Sequence, residues 1–329
     1  MLGFDCFKIY SNEQIINTLT SMISSERLSH AFLLHGEKGL GKKKIARYIC
    51  AQMLCRIGNG IPCGKCKDCL MIAHDAHPDV KWIFHNSDVK GFSVASLREL
   101  SIDALVSPNE GERKVYIFAD CDLMSIPAQN TLLKLVEEPP SHTHFIFTAT
   151  TKSAFLPTIL SRVISLGVSE VSISDCEKAL IDKGVTDKTK IACAVSAFGG
   201  NIGMCLDFIN NDELQRAVEI SKSITDCLCS NSEYALLKSL SQLDGNKQLT
   251  KTVLKLLIGI IRDGLAIRLD SDKLIGCYKN GSEALSKRLS ARQATEIFNK
   301  LTLASQRIDG NANLSLTLTS ICAGIKNIQ

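Results

Sequence analysis

Short apolar runs alternate with helical periodicity over the first half of the chain. His30 to His35 is an apolar run of strand length closed by Gly36, and a helical stretch is predicted from about Lys42 to Cys55. Asp79 to Phe84 reads as a strand, and Val94, Leu97, Leu100, Ala104 and Leu105 recur at helical spacing. Lys114 to Ala119 has the composition of a strand buried on both faces. Ser125 can cap a helix that tolerates Pro127 in its first turn and must stop at Glu138, ahead of Pro139 and Pro140. Further strands are predicted at His144 to Ala149 and Val163 to Leu166, with a short helix over Phe155 to Leu160 between them. This alternation predicts a parallel α/β sheet covered on both faces. After about Gly167 the strand signals largely disappear, and two helical units are predicted, Ser174 to Ile209 and Asp212 to the C-terminus. The fold class is therefore α/β plus all-α.

Length turns this pattern into a domain count. The 329 residues make two or three domains more natural than one. Hydrophobic residues at 45% and charged residues at 22% describe a globular chain, not a disordered one. A formal net charge of +4 is too mild to identify a nucleic-acid binder. No membrane span is expected, because Lys255, Arg262 and Asp263 interrupt the most apolar stretch, Thr252 to Leu269. Met1 to Tyr10 has no apolar signal core, so export is not expected. The 14 cysteines should then be mostly reduced thiols. Ten of them, among them Cys6, Cys121, Cys193 and Cys205, are scattered among apolar neighbours and read as small core residues.

Gly36-Glu-Lys-Gly39-Leu-Gly41-Lys42-Lys43 has the spacing of a P-loop, between a predicted strand and a predicted helix. Gly36, Gly39 and Gly41 would let backbone N–H groups approach phosphate oxygens, and Lys42 would reach the outer phosphates. The plain alternative is a glycine turn before a basic helix. Lys43 stands where a magnesium-binding Ser or Thr is needed, and an ammonium group repels a cation. Beyond the strand at 114–118, Ala119-Asp120-Cys121-Asp122 supplies no Asp-Glu pair in either register. The two departures, taken as independent losses, suggest a nucleotide fold that has given up hydrolysis, with occupancy by ATP or ADP doubtful.

The other four cysteines cluster. Cys55, Cys63, Cys66 and Cys69 place four thiols within fifteen residues, with Pro62 and Gly64 permitting a tight turn. Four thiolates and no open position fit a structural zinc ion. The alternative is a set of unliganded loop thiols. His74 and His77 lie nearby, but His77-Pro78-Asp79 reads better as a turn into the next strand.

These residues together resemble a known family, the bacterial DNA polymerase III clamp-loader subunits. The resemblance is carried by Ser29 to Gly36, the P-loop, the four cysteines, His77-Pro-Asp-Val80, Leu156-Pro-Thr-Ile-Leu-Ser-Arg162 and, above all, Asn130-Thr-Leu-Leu-Lys-Leu-Val-Glu-Glu-Pro-Pro140. It runs in order over residues 29–166. It implies an AAA+ P-loop module at 1–166 with a zinc knuckle at about 55–69, a helical lid at 167–208 and a helical collar, the oligomerisation domain, at 209–329. Within the family, gamma/tau ATPases carry Lys-Ser or Lys-Thr, an Asp-Glu pair and a lid arginine. Here stand Lys43, Ala119-Asp120 and, near the arginine's place, Gly203. The departures and the chain length resemble the delta-prime kind. That resemblance implies a cytoplasmic, bacterial, non-hydrolysing subunit of a DNA-directed DNA polymerase (a nucleotidyltransferase). It would sit in a hetero-pentamer with gamma/tau and delta subunits and meet the sliding clamp and primer–template DNA through the complex. It would also supply Arg162, an arginine finger, in trans to a neighbour's ATP. Val163 departs from the Cys that usually ends this family's Ser-Arg-Cys triplet. The plain alternative is an Arg162 that caps its helix or pairs with a carboxylate.

Two other functions compete. One is an active ATPase of the gamma/tau kind. The other is a zinc-dependent nucleic-acid-binding module using Lys42, Lys43, Lys44, Arg47, Lys65 and Lys67.

Overall fold

The computed structural model describes residues 7–25, 27–58, 60–84, 92–230, 232–271, 274–310, 312–326 and 328. The chain divides into two compact units, 1–171 and 172–329.

The first unit opens with helix α1 (Glu13–Ser24), which the sequence pattern did not announce. Strand β1 (Ala31–His35) leads into α2 (Lys42–Leu54), and a short α3 (Lys67–Ala73) precedes β2 (Val80–Phe84). There follow α4 (Val94–Ala104), β3 (Lys114–Ala119), α5 (Ile126–Glu137), β4 (Thr143–Ala149), α6 (Pro157–Leu160) and β5 (Ile164–Gly167). The strands pair in parallel, as the alternation of strand and helix signals predicts, in the order β2-β3-β4-β1-β5. Both faces are covered, which explains why the strands read as continuous apolar runs. Side chains alternate across the sheet: Phe32, Leu34, Val115, Ile117 and Ile146 pack on one face. On the other, Leu33, Phe118, Phe145 and Phe147 pack under α4 and α5, with the Phe118 and Phe147 rings stacked at 4.9 Å. Ser125 caps α5 by accepting from the Ala128 N–H, and the helix ends at Glu137 before the two prolines. The short helix expected from Phe155 begins only at Pro157, because Phe155 and Leu156 are extended.

The second unit contains only helices among its described regular elements: α7 (Ile173–Asp182), α8 (Lys188–Phe198), α9 (Ile202–Asn210), α10 (Asp212–Ser230), α11 (Glu233–Ser241), α12 (Lys247–Ile267), α13 (Lys279–Arg288), α14 (Ala291–Asp309) and α15 (Leu314–Lys326). Apolar stripes of α10, α12 and α14 share one core, which Ala197 of α8 also joins. Gly203 lies in the first turn of α9. No described helix is long and apolar enough to cross a membrane.

Of the scattered cysteines, Cys50, Cys121, Cys176, Cys205, Cys277 and Cys322 are buried, and Cys227 and Cys229 are half-buried. Cys193 is exposed on α8 and is not a core residue: its helix turns Ala194 and Val195, not position 193, inward. Cys6 lies outside the described residues.

Candidate functional site

The phosphate loop sits at the C-terminal end of β1, the end of a parallel sheet at which binding crevices open. Gly39 and Gly41 take φ of 92° and 87°, which favours glycine. A side chain at Gly36 would meet the Val168 carbonyl oxygen at 2.4 Å. Lys42 opens α2, and its side chain folds back: Nζ donates to the Gly36 carbonyl at 2.6 Å and the Glu37 carbonyl at 2.9 Å. The residue is 7% exposed, and burial lowers its pKa below that of an ordinary lysine. Gly36, Gly39, Gly41 and Lys42 thus lie in one turn between β1 and α2, closed by Lys42 onto the Gly36 carbonyl.

The metal-handling positions differ from those of a hydrolysing loop. Lys43 Nζ lies 2.6 Å from Asp120 Oδ2. Asp122 Oδ1 accepts the backbone N–H and the hydroxyl of Thr150, at 2.7 and 2.5 Å. The two departures read as independent in the sequence therefore touch one another. Asp120 was legible as an acid but not as the partner of Lys43, which is 77 positions away.

The four cysteines converge. One sulfur from each of Cys55, Cys63, Cys66 and Cys69 lies within 4.8 Å of the others, and this set includes no histidine. Cys63 and Cys69 are 4.0 Å apart at sulfur, and Cys66 and Cys55 are 3.9 Å apart. A tetrahedron with metal–sulfur bonds near 2.3 Å has edges of about 3.8 Å, so these two separations suit a zinc-sized ion. Backbone N–H groups of Cys63, Cys66 and Cys69 point at the sulfurs of Cys55, Cys63 and Cys66, at 3.4, 3.3 and 3.4 Å. Such donors favour thiolates. Cys63 is lowered to about 6 by the backbone N–H groups of Lys65 and Cys66, whereas burial pushes Cys66 and Cys69 up. Cys66 also caps α3, so the ligand loop and that helix form together.

Sequence reasoning missed what steadies this knuckle. Asp79, fully buried, accepts from Asn109 N and Nδ2 at 2.6 and 3.0 Å, and from Glu110 N and Gly111 N at 2.9 Å each. Its burial alone would raise the carboxyl pKa, but the N–H donors of Asn109, Glu110 and Gly111 outweigh that and hold it below the usual range. The loop so fixed receives the knuckle: Arg56 donates to the Glu110 carbonyl and Lys67 to the Glu110 carboxylate, each at 2.6 Å. His77-Pro-Asp79 is a turn, as expected, with His77 Nδ1 accepting the Asp79 N–H.

Arg162 follows α6, just ahead of β5. Its guanidinium donates to the Thr158 carbonyl at 2.8 Å and pairs with Glu137 at 2.9 Å, so the helix-capping and carboxylate-pairing contacts are both present. It remains 40% exposed at the side chain. In strand order β5 is the direct neighbour of β1, so Arg162 is not remote across the sheet. What separates it from the phosphate loop is strand direction. Phe32 pairs with Ile164 and His35 with Gly167, so Arg162 and the loop flank opposite ends of a parallel pair, about 17 Å apart.

The cations that a nucleic-acid module would use have internal partners. Lys42 and Lys43 bind as above, and Arg47 forks onto Asp75 through two 2.7 Å bonds while lying 5.0 Å from the Trp82 ring centre. Lys44 approaches the Tyr10 ring at 5.7 Å, and Lys67 is held by Glu110.

Comparison with known proteins places these features among relatives. The family described as DNA polymerase III, delta subunit matches residues 11–172. The DNA polymerase III subunit delta' of Bacillus subtilis is 26% identical over 310 residues, covering 92% of each chain. The gamma subunit of Buchnera aphidicola subsp. Schizaphis graminum is 31% identical over 220 residues, 66% of this chain and 59% of that one. The tau subunit of Escherichia coli is 30% identical over 173 residues, 52% of this chain and 26% of that one. The chain therefore spans nearly all of the delta' relative but only part of the gamma and tau relatives.

Proposed function

The chain belongs to the family of DNA polymerase III clamp-loader subunits that includes delta' and gamma/tau, and we propose that it is the delta'-type member, which does not hydrolyse ATP itself. The observation that carries this reading is the Lys43 ammonium, 2.6 Å from Asp120 at the mouth of the phosphate loop. A hydrolysing loop needs a hydroxyl and a free acid there to hold magnesium. Coverage agrees with this reading, since the match to delta' spans 92% of both chains.

In this role residues 1–166 are the AAA+ module and 167–208 the helical lid, and the collar at 209–329 joins a ring with gamma/tau and delta subunits. The assembly opens the sliding clamp and places it on primer–template DNA in the bacterial cytoplasm. Cys55, Cys63, Cys66 and Cys69 hold one structural zinc ion. Gly36, Gly39, Gly41 and Lys42 keep the shape of a phosphate loop. Arg162 serves the ATP of the adjacent subunit. It cannot serve its own loop, because the two flank opposite ends of β1 and β5. A guanidinium suits this task, being permanently charged and able to fork onto phosphate oxygens. Arginine fingers in other NTPases contribute about 10³ to 10⁵ in rate; a loader with several ATP sites would lose less, because only one site is served.

The test is Arg162→Ala in the reconstituted complex. The variant should fold and assemble, while ATP turnover and clamp loading fall, and Arg162→Lys should recover only part. Unchanged rates, or unfolding of the isolated variant, would refute the trans role. Magnesium-dependent ATP turnover by the isolated wild-type chain would refute the delta'-type assignment.

A further inference from the structure

Lys43, in the first turn of α2, and Asp120, just after β3, meet at 2.6 Å. In a hydrolysing P-loop these two regions face each other across a magnesium ion, one offering a hydroxyl and the other an acid. Here they offer each other a positive and a negative charge. Each partner has a second neighbour, and both side chains stay partly open to solvent, at 43% and 59% exposure. Asp120 sits in the left-handed region, at φ 57° and ψ 55°, and donates its N–H to the Thr148 hydroxyl at 2.9 Å. The Lys43 ammonium also lies 5.5 Å from the centre of the Phe84 ring, at the end of β2. The second acid, Asp122, is held by Thr150.

The magnesium ion that the fold family implies does not fit these residues. Position 43 has no hydroxyl and carries a fixed positive charge, one carboxylate is bound to that charge, and the other is hydrogen-bonded elsewhere. Magnesium demands near-ideal oxygen coordination, which an ammonium group cannot supply. We propose that Lys43 Nζ stands in for the divalent cation, with Asp120 as its counter-ion, so that this phosphate loop takes up no metal. The proposal rests on the non-hydrolysing reading and goes past it. The loss of metal chemistry becomes one coupled replacement instead of two separate ones, and a single substitution at position 43 should uncover a cation site. Lys43→Thr removes the built-in cation, supplies the missing hydroxyl and frees Asp120 in one step.

The experiment is calorimetric titration of ADP into the full chain, once with Mg²⁺ and once with a chelator. Wild type should give the same isotherm in both media. Lys43→Thr should bind ADP about tenfold more tightly with Mg²⁺ than without. Lys43→Met, which keeps the stem but offers no ligand, should remain metal-insensitive. Circular dichroism checks that each variant is folded, and Lys43→Ser supplies a second hydroxyl variant should the threonine chain fail. Mg²⁺-dependent tightening in wild type overturns the proposal. A metal-insensitive Lys43→Thr that is folded overturns it too, since Lys43 would then not be what keeps the cation out. Neither outcome touches the delta'-type reading, which falls only if wild type turns over ATP.

Discussion

Replacing Asp79 with asparagine is a severe test of how the first unit and its cysteine knuckle are held. The carboxylate accepts four N–H bonds, two at each oxygen. An asparagine amide presents only one oxygen. Turned one way, its NH₂ faces the backbone donors of Glu110 and Gly111; turned the other way, it faces both donors of Asn109. At least one backbone N–H then loses its acceptor, and the surviving bonds lose their charge. Hydrogen bonds to a charged group contribute about 1.5–3 kcal/mol each, so Asp79→Asn should cost roughly 3 kcal/mol. For a unit of this size, that lowers the melting temperature by roughly 6–12 °C. Trp82, the chain's one tryptophan, lies three residues along β2 and reports unfolding of this unit by fluorescence in a urea titration.

The pH dependence has a definite sign. The folded carboxyl titrates below its usual value, so its stabilisation is complete at neutral pH and is lost as pH falls through the folded pKa. The gap between wild type and Asp79→Asn should therefore narrow in acid. A second readout follows from Glu110, which Asp79 holds and which receives Arg56 and Lys67 from the knuckle. Loaded with zinc, the variant should surrender the ion to a chelator faster than wild type loaded in the same way. A loss under about 1 kcal/mol at neutral pH, or a gap that does not change in acid, would refute the reasoning.

Two other expectations are simpler to state. Purified protein should contain about one equivalent of zinc, and Cys66→Ser should lose it. Because the knuckle hangs on a large sheet domain, the order on the scale of 10 kcal/mol that zinc gives an isolated finger should here appear as local loosening; full retention by Cys63→Ser with Cys66→Ser would dismiss the site. In the second unit, Gly276→Ala would bring a methyl to 2.9 Å from both Asp263 Oδ2 and the Ile260 Cα. It should cost about 1–3 kcal/mol by overpacking, whereas Gly259→Ala, whose methyl would meet nothing nearer than 3.5 Å, should be neutral or stabilising by up to about 1 kcal/mol. Equal melting temperatures for the two variants would remove the steric argument.

The strands were legible because the sheet is covered on both faces, which turns each one into a continuous apolar run with a breaker after it, as Gly36 follows Leu33, Leu34 and His35. The helices that escaped the sequence reading are those whose start carries no strong local signal. Asn12 begins α1 in the left-handed region without a side-chain cap bond, and α3 is only seven residues long, capped by a cysteine instead of an Asp or Ser. The same limit governs the sites. The cysteine set was legible because its four members fall within one short segment, from the end of α2 to the first turn of α3, so no strand order is needed to bring them together. Lys43 with Asp120, Arg162 with Glu137 and Asp79 with the 109–111 loop each join residues from different elements, so none can be read without the strand order. Once β3 is known to lie beyond β4 from β1, the C-terminal ends of these parallel strands and the start of α2 share one edge. The lysine that opens α2 and the aspartate that follows β3 then become the two halves of a single ion pair. The two departures that stand apart in the sequence, at position 43 and at positions 119–122, thus meet in one contact of the structure, Lys43 with Asp120 at 2.6 Å.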